Sequence, residues 1–210
     1  MYKEKVKSLV DLDVFEKLEQ YVKLIEFYNQ KFNLTGFSGD ILWKEGILES
    51  IVTMDFIRNL LRKEKISKKP KILDIGAGVG FPSIPYLIFD PKIDLTICES
   101  MQKRCQFLKK VSETLGIKFN LVCKSVQEIQ NDNFDLVTAR AVANLEKLDK
   151  IVNKIKTKNT IFAFIKGPKI FEELKNCKNC DYQVVEFANN LDKKIFIAFK
   201  GNVKYFVFLK

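Results

Sequence analysis

Apolar residues in the first third of the chain recur at helical spacing. Val14, Leu18, Tyr21, Val22, Ile25 and Tyr28 share one face, while Glu16, Lys17, Glu19 and Lys23 fall on others. The pattern predicts a helix capped by Asp13 and interrupted at Leu34-Thr35-Gly36. A second helix, capped by Ser38 or Asp40, is expected through Ile41, Leu42, Ile47, Leu48, Ile51 and Phe56. From residue 71 the pattern changes. Short apolar runs at 71–75, 94–98, 118–123, 134–139 and 160–166 alternate with stretches long enough for helices, which predicts βαβ units and a parallel sheet. One connecting helix should begin near Pro82, and another should be capped by Ser100, bury Cys105, Leu108, Val111 and Leu115, and end at Gly116. Tyr182–Ala188, Lys194–Phe199 and Val203–Leu209 are strand-like, with Gly201-Asn202 as a hairpin-like turn, so the sheet should finish antiparallel.

The expected architecture is therefore an α/β fold, its sheet mostly parallel with an antiparallel C-terminal strand, preceded by helices. Residues 1–67 form the N-terminal helical segment and residues 68–210 the α/β domain, joined through the polar link Ser67-Lys68-Lys69-Pro70.

Composition narrows the chemistry. With 47% hydrophobic residues in 210, the chain carries a sizeable core and is not disordered. No apolar run is long enough to span a bilayer, and Met1-Tyr2-Lys3-Glu4-Lys5 does not open a signal-peptide core, so a cytoplasmic protein is expected. Five scattered cysteines agree with a reducing compartment. Cys177 and Cys180 form one C-x-x-C, but no second pair and no histidine complete a zinc site, so no metal is expected. The absence of histidine also removes every histidine-based triad and general base. Net charge is +10; residues 1–67 hold 11 basic and 11 acidic side chains, and residues 68–210 hold 25 and 15. A basic α/β domain points to a polyanionic partner, although a general lysine bias would produce the same excess.

The stretch Ile72-Leu73-Asp74-Ile75-Gly76-Ala77-Gly78-Val79-Gly80-Phe81-Pro82 carries the most chemistry. Alternating glycines after a strand let the backbone turn sharply and approach a ligand. Dinucleotide sites space them G-x-G-x-x-G, whereas here position 81 is Phe and the third glycine comes one residue early. An acidic residue two places before G-x-G-x-G is the pattern of S-adenosylmethionine-dependent methyltransferases, whose cofactor carries a sulfonium and an amino group that favour a carboxylate such as Asp74. A tight glycine turn without a ligand is the bland alternative. Glu99 follows the next strand, about 20 residues beyond the loop, where an acidic side chain reaches ribose hydroxyls.

Together these pieces resemble one family. Leu73–Pro82, then Glu99-Ser100 with Lys103-Arg104 and Phe107-Leu108, then Phe134–Ala143, with Lys166-Gly167 and Asn33-Leu34-Thr35, are similar to the bacterial RsmG (GidB) methyltransferases over most of the chain. The resemblance implies a Rossmann-like class I methyltransferase sheet and methyl transfer from S-adenosylmethionine to N7 of a guanosine in the 530-loop region of 16S ribosomal RNA. It implies 16S ribosomal RNA or the small ribosomal subunit as partner, and a monomer without a membrane. The resemblance implies cofactor contacts at Gly76, Phe81, Val126, Gln127 and Arg140, which join Asp74, Gly78, Gly80 and Glu99 from the loop pattern; Arg140 and Lys166, at the ends of neighbouring strands on the ligand-binding rim, are the candidate positioning groups. Four places depart from the family pattern. Gly46 replaces its usual histidine and Glu49-Ser50-Ile51 its Asp-Ser-Leu, Ser83 replaces the glycine of Phe-Pro-Gly, and Ser125 replaces an arginine.

Guanine N7 carries a free lone pair, so its methylation needs no general base and histidine is dispensable. An exocyclic amine would call for Asn/Asp-Pro-Pro-aromatic after the fourth strand, where this chain has Ala139-Arg140-Ala141-Val142. Carbon-5 of a pyrimidine needs a cysteine nucleophile, and none follows the fourth or fifth strand. A small-molecule or other RNA methyltransferase, and a binding module that keeps the fold without the chemistry, are the competing readings.

Overall fold

The computed structural model describes residues 1–63, 67–129, 133–177, 181–188 and 194–201. A short helix α1 (Tyr2–Leu9), not evident in the periodicity, precedes the long helix α2 (Leu12–Phe32). The N-cap of α2 is Asp11 rather than Asp13, which lies in the first turn where a carboxylate favours the helix dipole. After Ser38, α3 (Gly39–Ile41), a π-helical stretch (Leu42–Leu48) and α4 (Glu49–Lys63) follow without a break.

The α/β part contains β1 (Lys71–Ile75), α5 (Ser83–Phe89), β2 (Asp94–Cys98), α6 (Gln102–Leu115) and β3 (Asn120–Val122). It continues with β4 (Leu136–Arg140), α7 (Leu145–Ile155), β5 (Ile161–Lys166), α8 (Ile170–Asn176), β6 (Gln183–Ala188) and β7 (Lys194–Lys200). The strands form one sheet in the order β3-β2-β1-β4-β5-β7-β6. Strands β1 to β5 are parallel, and β7 runs antiparallel to both β5 and β6. The antiparallel pair is therefore β6–β7. The expected strand 203–209, with Asn202 of the expected turn, lies outside the described residues.

Alternation along the strands sorts the core into two layers. Ile161, Ala163 and Ile165 of β5 join Leu18, Ile25, Leu42, Ile57, Ile84 and Leu108, whereas Phe162 and Phe164 join Leu145, Leu148, Val152 and Ile170. Thus the N-terminal helices, α5 and α6 cover one face, and α7 and α8 the other. Both faces being covered explains why the parallel strands read as continuous apolar runs. Cys98, Cys105 and Cys123 are free thiols, while Cys177 is disulfide-bonded. No helix among the described residues is long and apolar enough to cross a membrane.

Candidate functional site

The strand order reverses between β1 and β4, and ligands of such sheets bind in the crevice beyond the carboxyl ends of those strands. The glycine loop leaves β1 at this switch point. Gly76, Gly78 and Gly80 all have positive φ, at 64°, 63° and 106°. At Gly80 a Cβ would lie 2.4 Å from Ile84 Cγ1, so a side chain there would unseat the start of α5. At Gly78, by contrast, the space is open as far as the Arg104 guanidinium at 3.9 Å, which leaves room for a ligand against the backbone.

Asp74 is fully buried beneath this loop. Its Oδ2 accepts a 2.5 Å hydrogen bond from the Ser83 hydroxyl, while Oδ1 is buried without a partner. Desolvation pushes its pKa up to about 7, against the pull of the Ser83 hydroxyl and of Arg140. The structure thus places Asp74 beneath the glycine loop, held by Ser83.

Glu99, at the end of β2, is only 3% exposed and ties two loops together. Its Oε2 accepts from the Gly78 amide at 3.0 Å and its Oε1 from the Met101 amide at 2.8 Å. Arg104 Nη1 lies 3.9 Å away. Each carboxylate oxygen keeps further lone-pair capacity for a hydroxyl. The N-cap of α6 is Met101 rather than the expected Ser100, and it makes no side-chain cap bond.

Arg140, the last residue of β4, points back beneath the N-terminal helices. Its Nη1 donates to the Glu45 carbonyl at 2.9 Å and to Glu49 Oε1 at 3.4 Å. The guanidinium lies 5.3 Å from the centroid of the Phe81 ring and 6.0 Å from that of Phe37. Burial lowers its pKa, and Glu49 and Asp74 oppose that shift. The next residue, Ala141, has φ 56°, an unfavourable backbone for a residue with a Cβ. It turns Val142 over the loop, so that a Cβ on Gly76 would sit 2.8 Å from Val142 Cγ2. Lys166 at the end of β5 donates to the Ala143 carbonyl at 2.6 Å and to Glu173 Oε2 at 2.7 Å. The same carboxylate oxygen accepts from the Leu145 amide at 2.8 Å, so Lys166 braces the junction of β5, α7 and α8. Phe37, Glu49, Arg140, Val142, Lys166 and Glu173 line a cavity of about 640 Å³ beside the loop.

Residues 14–195 match the family described as GidB, rRNA small subunit methyltransferase G. Ribosomal RNA small subunit methyltransferase G of Mesomycoplasma hyopneumoniae strain J is 64% identical over 95% of this chain and 98% of its own. The protein of the same name from Mycoplasma mobile is 42% identical over 88% of this chain and 82% of its own. This chain belongs to the GidB family. Among solved structures, a mutant of MtNAS in complex with S-adenosylmethionine superposes with TM-score 0.57 at 13% identity, covering 89% of this chain and 72% of that one, a likeness of fold.

Within this GidB protein, the departures from the family pattern have local causes. A Cβ on Gly46 would stand 2.7 Å from Phe81 Cζ, so the Phe81 ring fills the space a larger residue would need. That ring also meets Tyr21 edge-on at 6.0 Å. Ser83 supplies the hydroxyl that Asp74 accepts from. Ser125 caps a 3-10 turn (Val126–Glu128) in a capping box with Glu128; within it Val126 is half-buried and Gln127 exposed. The sequence reading missed Tyr21, whose buried hydroxyl donates to the Val79 carbonyl in the glycine loop at 2.6 Å. Its hydroxyl on the apolar face of α2 was the available signal, shared with Tyr28.

Proposed function

We propose that this GidB-family protein transfers the methyl group of S-adenosylmethionine to N7 of a guanosine in the 530-loop region of 16S ribosomal RNA. In this reading it works as a cytoplasmic monomer, with residues 1–67 as an N-terminal helical segment on a methyltransferase domain of residues 68–210. The observation that carries the proposal is the family match over residues 14–195, which includes the loop and both acidic residues beside it. The cofactor supplies an electrophilic sulfonium methyl. Gly76, Gly78 and Gly80 let backbone amides approach it, Glu99 accepts from its ribose, and Val126 and Gln127 frame its adenine. Asp74 favours its positive charge through the field, and Phe81 shapes the loop.

Arg140 and Lys166 set the walls of the cavity where the base would sit, and their contribution is positioning. A base-free reaction suits a chain without histidine. Cysteine catalysis at a pyrimidine is disfavoured further, because burial pushes the Cys98 and Cys105 thiols up to about 12. The test is methylation of 16S ribosomal RNA by the purified protein with labelled cofactor, followed by mass-spectrometric mapping. The expected product is 7-methylguanosine in the 530 loop. Label on an exocyclic amine, on carbon-5 of a pyrimidine or outside RNA would overturn the reading.

A further inference from the structure

The last two turns of α2 expose an aromatic ladder that the proposed cofactor site does not use. Phe27 and Phe32 are 53% and 41% exposed. Tyr28 links them, with its ring centroid 5.3 Å from that of Phe27 and 6.2 Å from that of Phe32, stacked on the latter at 22°. Beneath, Tyr28 packs edge-on against Phe107 of α6 at 5.7 Å, so the ladder is anchored rather than loose. A cation covers each outer ring: Lys31 Nζ lies 4.6 Å from the Phe27 centroid and Lys103 Nζ, from α6, lies 5.8 Å from that of Phe32. Neither ammonium is ion-paired with a carboxylate among the described residues.

The face continues toward the cofactor loop. Met101, 52% exposed, opens α6 beside Lys103. Arg104 follows, bonded to the Leu34 carbonyl at 3.5 Å and bordering Gly78. On the other flank, Glu26 lines a small cavity with Asn29 and Phe37, and its charge marks where an anionic partner must stop.

We propose that this face of α2 and the start of α6 stack unpaired bases of the RNA substrate on Phe27 and Phe32. Lys31 and Lys103 swing from the ring faces to the neighbouring phosphates as the bases arrive. Single exposed apolar residues are ordinary. Two rings on one helix, each covered by an unpaired ammonium, combine the two elements of single-strand recognition, a π-face and a cation within one nucleotide's reach. The proposal rests on the reading of the protein as an RNA methyltransferase. It extends the RNA-contacting surface from the basic α/β domain to the N-terminal segment. Residues 1–67 are neutral in sum, yet Lys3 and Lys23 are spent on Glu19 while Lys31 has no carboxylate partner among the described residues.

The test uses the full chain and two probes, a 16S ribosomal RNA transcript and the intact small subunit. Phe27→Ala/Phe32→Ala should weaken transcript binding by about tenfold or more without changing its salt dependence. Lys31→Gln/Lys103→Gln should make the slope of log affinity against log salt shallower, by about 0.7 for each cation lost. Calorimetric affinity for S-adenosylmethionine should be unchanged in both, and Phe27→Trp/Phe32→Trp should restore binding. If wild type binds the transcript and the alanine pair binds it equally well, the stacking face is overturned alone. If the alanine pair loses only subunit binding, the face docks on protein and the RNA assignment is overturned. If wild type binds no RNA at all, the reading of the substrate fails and this proposal fails with it.

Discussion

The ring of Phe81 and the bare backbone of Gly46 are complementary surfaces. A Cβ on Gly46 would lie 2.7 Å from Phe81 Cζ and 2.9 Å from Leu42 Cδ1, inside the π-helical stretch whose Glu45 carbonyl receives Arg140. The glycine loop, the N-terminal segment and the end of β4 are thereby packed as one unit. Gly46→Ala should destabilise the protein by about 1–2 kcal/mol, since overpacking outweighs the gain of about 1 kcal/mol in helix propensity. Chemical denaturation of the single variant, of Phe81→Leu and of the double variant would measure the coupling. A stabilised Gly46→Ala would show that the contact does not constrain the loop.

The hydroxyl of Tyr21 bonds to Val79 in the loop, so Tyr21→Phe leaves a buried carbonyl unsatisfied. A stability loss of about 1–2 kcal/mol is expected. Calorimetry should also show weaker binding of S-adenosylmethionine, because the loop loses its tie to α2. Unchanged cofactor affinity would confine Tyr21 to a structural role.

Asp74 should make stability depend on pH. Its folded pKa is raised by burial to about 7 from an ordinary value of 3.8, so between those limits the native state holds a proton that the unfolded chain has released. The stabilising contribution is full below about 3.8 and is lost as pH rises toward 7. Urea unfolding should therefore show Asp74→Asn gaining on wild type as pH rises through this window. Ser83→Ala removes the bond that holds the pKa down and should extend the window upward. Parallel wild-type and Asp74→Asn curves would rule the titration out.

Glu99 serves Gly78 and Met101 as well as the proposed ribose contact. Glu99→Ala should weaken S-adenosylmethionine binding by about 1.5–3 kcal/mol, the range for hydrogen bonds to a charged group. An unchanged calorimetric affinity would remove it from the cofactor site.

Methylation at N7 releases no proton from the base, so the single-turnover rate with saturating RNA and cofactor should be nearly flat from about pH 7 to 8.5. Arg140→Ala and Lys166→Ala should lower this rate and leave the profile flat, because both residues brace the cavity through Glu45, Glu49 and Glu173. A unit slope in log rate, abolished by one carboxylate or lysine substitution, would reveal a general base and contradict the N7 assignment.

Much of the fold was legible because its signals are local. The runs at 71–75, 94–98 and 160–166 became β1, β2 and β5, and Gly116 ends α6 with φ 62°. Caps were harder to assign. Asp13 and Ser100 are the right residue types, yet Asp11 and Met101 hold the cap positions, since a cap is defined by where the backbone turns. At the site, Glu99 was identifiable from its offset to the loop. Tyr21 was hidden because its partner Val79 lies 58 residues away.

The sequence by itself determined what depends on neighbours along the chain: the parallel strand runs and their alternation with helices, the glycine loop, the acidic residues flanking it, and family membership. Only the tertiary structure decided which side chains meet. It turned Arg140 and Lys166 into braces by giving them Glu49 and Glu173, buried Asp74 under Ser83, and set the rings of α2 beside Lys103 of α6. The physical reason is that burial and long-range pairing set the charge, the pKa and the freedom of a side chain, and neither is a property of local sequence.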